Sequence, residues 1–133
     1  MKRKRLRSLK SLKAELDRVF SVYVRRRGSE NGIAACVSCG AKMPWQRIQA
    51  GHYVRRQHLA TRWDEKNCWP QCFACNVWRR GNYAAYSAWL IKTKGADFPR
   101  ILVDLASKPS SLKRSDLEEL LNHYKKQLDN LHN

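Results

Sequence analysis

The chain has 133 residues, with 27 Lys+Arg against 11 Asp+Glu, a formal net charge of +16 with histidine neutral. That length carries one small domain or one domain with helical extensions, and excludes a dinucleotide-binding sheet or a TIM barrel. A hydrophobic fraction of 43% with five tryptophans argues against wholesale disorder, and no apolar run approaches the roughly 18 residues of a membrane helix.

The basic start, residues 1–10, leads into no apolar h-region and reads as an arm rather than a secretory signal. Leu9, Leu12, Leu16, Val19, Phe20, Tyr23 and Val24 then recur at helical spacing, which predicts an amphipathic helix over residues 8–27. The GSENG run at 28–32 stops it. Residues 33–69 lack helical period and read as short strands and loops, with the best strand at 48–54 and Ala50, His52 and Val54 on one face. From Cys72 the pattern is helical again, with a stripe of Tyr83, Tyr86, Trp89 and Leu90 closed by Gly95. A short helix at 99–107 and a linker at 108–111 follow. Ser115 to Glu118 has the form of a capping box, and Leu117, Leu120, Leu121, Tyr124, Leu128 and Leu131 mark one apolar face of a last helix. That face must bury, either on the first helix or on a partner chain. Three segments result: a basic arm and helix at 1–32, a core at 33–95 and a helical segment at 96–133 with possible dimerisation.

A surplus of sixteen positive charges repels itself, and phosphate polyanions relieve the repulsion, so nucleic acid is the expected partner and a membrane is not. Cys36-Val37-Ser38-Cys39 and Cys72-Phe73-Ala74-Cys75 are two CxxC knuckles with 32 residues between them. Two such turns supply four thiolates for a tetrahedral structural zinc. Without a secretory signal a cytoplasmic, reducing setting is expected, which disfavours the alternative of disulfides. A four-thiolate site is closed and holds the fold together without doing chemistry. Cys68, four residues before Cys72, reads as a free thiol, with replacement of Cys72 as a ligand the alternative.

Between and after the knuckles stand His52, Asn67 and Asn76, in the order and placement of the His-Asn-His/Asn, or HNH (ββα-metal), nucleases. The strings C-x-x-C-G at Cys36 to Gly40, A-G-H-Y at Ala50 to Tyr53, R-W-x-E-x-N at Arg62 to Asn67, Q-C-x-x-C-N at Gln71 to Asn76 and G-N-x-x-x-Y at Gly81 to Tyr86 resemble the NinG (Rap) recombination endonucleases of lambdoid phages. The likeness covers nearly the whole chain, though the ends match only in composition and spacing. A wider likeness is to the phage endonuclease VII class of resolvases. The resemblance implies an α+β, mostly helical fold with a small zinc-stapled ββα-metal core between terminal helices. It implies a metal-dependent endonuclease that is selective for branched DNA such as Holliday junctions.

In that reading His52 is the general base, Asn67 orients its ring through its side-chain amide or its loop, and Asn76 binds a catalytic Mg²⁺ or Mn²⁺ through its carbonyl oxygen, since hard cations take oxygen ligands. Many HNH members carry a metal-binding Asp or His immediately before the base; here Gly51 stands there. Glu65, from the matching string, is taken as the second ligand, with Asp64, Gln49 and Asn82 as the other candidates. His58 reads as a loop residue that can touch phosphate, and His123 and His132 carry no site signal. Arg55, Arg56, Arg62, Arg79 and Arg80 flank the site and are expected to grip the DNA backbone, which positions the duplex without reading bases. Resolving a four-way junction needs two related cuts, so a homodimer through the terminal helices is expected. The competing readings are a general or homing-type HNH nuclease, a non-catalytic zinc-stabilised nucleic-acid binding module and an RNA-binding zinc protein.

Overall fold

A computed structural model describes residues 6–131; the arm residues Lys2 to Arg5 and His132 lie outside the described residues. The first helix, α1 (Leu9–Arg27), begins where the Ser8 hydroxyl accepts the Ser11 N–H at 3.1 Å. Two small antiparallel sheets follow. Strands β1 (Ser29–Glu30), β2 (Ile33–Ala35) and β3 (Lys42–Pro44) form the first, in that order. Strands β4 (Gln49–His52) and β5 (Cys68–Gln71) form the second, with Gln49 opposite Gln71, Gly51 opposite Trp69 and His52 opposite Cys68. The β4–β5 connection contains a one-turn helix, α2 (Leu59–Arg62), and a 3₁₀ turn at Glu65–Asn67. After β5 come a wide helical turn, Ala74–Trp78, then α3 (Tyr83–Lys94), α4 (Phe98–Ala106) and α5 (Arg114–Asp129).

Three apolar clusters hold these elements. The largest buries Leu12, Leu16, Val19, Phe20, Tyr23 and Val24 of α1 against Leu117, Leu121 and Tyr124 of α5, with Trp63 and Cys68 beneath them. Each such side chain contributes about 1.5–3 kcal/mol when fully buried. The apolar face of the last helix is therefore covered by α1 within the chain, so a partner is not needed to bury it. The second cluster, Ala34, Cys36, Ile48, Cys72 and Cys75, surrounds the knuckles. The third, Tyr86, Leu90 and Leu102, joins α3 to α4 and takes in Val37, Tyr53 and Val54.

Three local expectations are corrected. The strand is confined to Gln49–His52, because both Val54 backbone groups are taken by the Asn67 side chain. The helical stretch after Cys72 is broken. Arg80, Gly81 and Asn82 all have positive φ (49°, 96° and 43°) and reverse the chain before α3 restarts it. The last helix begins one residue before Ser115, and its cap is Asp116, whose carboxylate accepts the Lys113 N–H at 2.8 Å.

Candidate active site and metal centre

Each knuckle is closed by its own backbone: the Gly40 N–H donates to the Cys36 carbonyl, and the Asn76 N–H to the Cys72 carbonyl. The Sγ atoms of Cys36, Cys39, Cys72 and Cys75 all lie within 4.8 Å of one another, with Cys39 and Cys72 at 3.6 Å. A tetrahedral zinc with bonds of about 2.3 Å separates its thiolates by about 3.8 Å, so this cage fits the ion. Burial pushes the Cys36 thiol up, but backbone hydrogen bonds at Cys72, Cys39 and Ser38 outweigh it and bring it down to about 7, whereas burial holds the Cys72 and Cys75 thiols above their ordinary value. Asn82 Nδ2 lies 3.4 Å from Cys75 Sγ, as a donor to that sulfur. Cys68 is outside the cage, fully buried opposite His52, and burial raises its thiol.

A cleft of about 810 Å³ opens between α1, β4 and the turn after the second knuckle. His52 and Asn76 both line it, together with Arg18, Arg55, Arg56 and Arg80. His52 sits at the end of β4, with its ring centroid 6.1 Å from that of Phe20. Its Nε2 lies 2.9 Å from the Arg62 carbonyl oxygen. A carbonyl only accepts, so Nε2 carries the proton and Nδ1 is the basic nitrogen. Burial lowers the His52 pKa below its ordinary 6.5, against the raising effect of the Arg62 carbonyl, and so favours the neutral ring.

Asn67 is not among the residues that line the cleft and makes no hydrogen bond to the His52 ring. It is fully buried, its Oδ1 accepts the Val54 N–H at 2.8 Å, and its Nδ2 donates to the carbonyls of Val54 (3.0 Å) and Thr61 (3.2 Å). These bonds tie the two ends of the β4–β5 connection together, and Arg62, next to Thr61, presents the carbonyl that holds His52. The ring is thus fixed through the loop and not by the amide.

Asn76 Nδ2 donates to Gln49 Oε1 at 2.8 Å, which leaves Asn76 Oδ1 as its free oxygen among the described residues. Gly51 is required by packing. A Cβ there would stand 2.0 Å from Gln71 Oε1. The Gln71 amide crosses that space, and its Nε2 donates to Ser38 Oγ (2.9 Å) and the Gly81 carbonyl (2.8 Å). Gln71 Oε1 is buried with no hydrogen-bond partner among the described residues.

Several expected residues are placed elsewhere. Glu65 does not line the cleft; its carboxylate accepts the Tyr23 hydroxyl at 2.9 Å and lies 3.6 Å from the Arg27 guanidinium. Asp64 caps the 3₁₀ turn at the Lys66 N–H, and Asn82 is committed to the cage, so of the alternatives Gln49 stands beside Asn76. The Arg62 guanidinium is locked to Asp17 at 2.6 and 3.1 Å, and its contribution is its carbonyl. Arg79 is exposed beside the cleft, and the His58 ring is exposed on the connection. His123 stacks edge-on against Tyr124, away from the cleft.

Asp17, Arg18 and Ser21, which the sequence does not single out, also line the cleft, as does Tyr83, the first residue of the aromatic stripe. Asp17 accepts from Arg56, Arg62 and the Trp63 indole. Burial raises its pKa, but the Arg62 hydrogen bond and the charges of Arg62 and Arg56 outweigh that and hold the carboxyl below its ordinary value. The one available signal was that Asp17 is one of two acids in an otherwise basic helix. No helix among the described residues is long and apolar enough to cross a membrane.

A family model described as "Bacteriophage Lambda NinG protein" matches residues 1–133. No curated protein and no solved structure matches the chain. The chain belongs to the NinG family, which is linked to phage recombination.

Proposed function

We propose that this NinG-family chain is a metal-dependent, structure-selective DNA endonuclease of the HNH type, which hydrolyses phosphodiesters in branched recombination intermediates such as Holliday junctions. The observation that carries the reading is the 2.9 Å contact between His52 Nε2 and the Arg62 carbonyl, which leaves Nδ1 as the basic nitrogen of a histidine that lines a cleft together with four arginines. A structural histidine needs no such cleft. A binding module needs no neutral base inside it.

In this mechanism His52 Nδ1 takes a proton from the attacking water as the new P–O bond forms and the P–O3′ bond breaks, and the departing 3′ oxygen takes a proton from solvent water. Arg18, Arg55 and Arg80, which make no side-chain ion pair among the described residues, position the phosphate and offset the charge that grows on its oxygens. Asn76 Oδ1 suits a hard divalent cation such as Mg²⁺ or Mn²⁺, with water and substrate completing the shell, and Gln49 orients the amide. When bound, that ion supplies charge neutralisation at the leaving 3′ oxygen. Zinc in the four-cysteine cage is structural. Two chains on one four-way junction account for paired cuts, through a surface other than the covered face of α5. The setting is the host cytoplasm.

The test is a cleavage assay on a synthetic four-way junction and a linear duplex of the same sequence, with Mg²⁺. The wild-type chain is expected to nick the junction preferentially. His52→Ala is expected to abolish nicking and keep junction affinity within about threefold. Equal cutting of both substrates points to a general HNH nuclease. Binding without cutting by the wild-type chain points to a non-catalytic module and overturns the proposal.

A further inference from the structure

The helical turn that carries Asn76 has a second face. Phe73, Val77 and Trp78 are all exposed there, Trp78 at 75% of its full surface. Phe73 stands edge-on against Trp78, with ring centroids 5.5 Å apart and planes at 79°, and braces the indole outward. Among the described residues every other Phe, Trp and Tyr except Tyr83 belongs to one of the three clusters, and this pair is exposed. Arg79 follows immediately, exposed, and Arg80 lines the cleft two residues beyond Trp78, as Asn76 does two residues before it. An apolar protein partner would leave those guanidiniums to be desolvated. A nucleic acid satisfies both parts at once, with phosphates on the arginines and a base face on the indole.

We infer that Trp78, braced by Phe73, is a stacking platform for a DNA base that has lost its own stacking neighbour next to the phosphate held in the cleft. The inference rests on the nuclease reading above and deepens it, because it names the substrate feature that is selected. Continuous duplex offers no exposed base face. A junction branch point opened out of its coaxial stacking, a bulge or a flap does, and aromatic stacking on such a base is sequence-tolerant. Selectivity for DNA shape then arises from one side chain beside the site of chemistry, with the backbone contacts common to all substrates.

The experiment uses the full chain in a His52→Ala background, so that DNA stays intact. It measures affinity by fluorescence anisotropy for a four-way junction, a duplex with one unpaired adenine and the uninterrupted duplex. Trp78→Ala is expected to weaken the first two by about tenfold and to change the third by less than about twofold. Trp78→Tyr is expected to recover most of the loss. A 5-iodouracil placed at the branch point is expected to photocross-link to Trp78. Unchanged preference for the interrupted substrates in Trp78→Ala, or equal weakening of all three, overturns the inference. So does a change in sedimentation of the free protein, which would assign the patch to a second copy. The nuclease reading fails separately: absence of cleavage by the wild-type chain sinks it whatever the affinities, and cleavage with an unmoved affinity ratio in Trp78→Ala sinks only the platform.

Discussion

At the scale of single residues the proposed chemistry depends on which nitrogen of one imidazole carries a proton. The Arg62 carbonyl fixes that choice at His52, and burial acts on the same ring from the other side by making its charged form costly. Arg56 and Arg62 push in the same direction as burial, while Asp17 and the carbonyl oppose them, and the net effect is a pKa below 6.5. A base must be neutral to accept a proton. Junction cleavage measured as kcat/KM, which reports the free protein, is therefore expected to be flat at neutral pH and to fall on the acid side through an inflection below 6.5. An inflection above 6.5 would mean that the ring is stabilised as imidazolium and would remove it as the base. Linkage gives stability the same sign. The unfolded histidine takes its proton first as pH falls, so the contribution of His52 to folding is present above the unfolded pKa near 6.5 and is lost as pH drops through the lower folded value. Asp17 has its own window, further to the acid side, because its carboxyl is held below its ordinary value of 3.8.

Among the elements, the β4–β5 connection is where a buried amide does what a longer piece of secondary structure would do elsewhere. Asn67 satisfies one N–H and two carbonyls of residues 54 and 61 at once. Replacing it by alanine leaves those buried groups unpaired and opens a hole. The expected cost is about 3 kcal/mol in urea unfolding, with loss of cleavage and no change at the zinc cage. Asn67→Asp is expected to be no better, since an oxygen would then face the Val54 and Thr61 carbonyls. Wild-type stability and rate in either variant would disprove the role of the loop in holding His52. This element also marks the limit of sequence reading. His52 and Asn76 stand out in the sequence by their order and placement against the knuckles, and both line the cleft, while α1 and α5 are legible because their apolar stripes are long. The Arg62 carbonyl was not legible, because backbone groups look alike at every position. Asp17 was missed because its partners, Arg56, Arg62 and Trp63, lie some forty residues away in the chain. Glu65 was misplaced for the converse reason, since Tyr23 and Arg27 reach across from α1 and take its carboxylate. The break at residues 80–82 was visible as Gly-Asn, but the aromatic period on either side of it reads through.

For the whole molecule, the arrangement of three clusters says which parts a zinc in the four-cysteine cage would hold together. The cage belongs to the second cluster and is joined to the cleft by Asn82 at Cys75 and by Gln71 at Gly81. The α1–α5 cluster shares no side chain with the cage, and it is this cluster that encloses Cys68. Zinc binding free energy is folding free energy for the part that the metal closes, and only for that part. The chain is therefore expected to carry one zinc by elemental analysis. A strong chelator is expected to release it and to expose four thiols to a thiol-specific reagent. The fifth, Cys68, is fully buried with its thiol held in the protonated form by that burial, and it is expected to react only after denaturant is added. Far-UV circular dichroism should keep most of its helical signal through the chelation step, because α1 and α5 remain packed, while cleavage is lost with the position of Asn76. Release of all five thiols together would mean that the two clusters fold as one unit around the metal, and a chain that purifies without zinc at pH 7 with its four cage thiols freely reactive would remove the cage from the fold altogether.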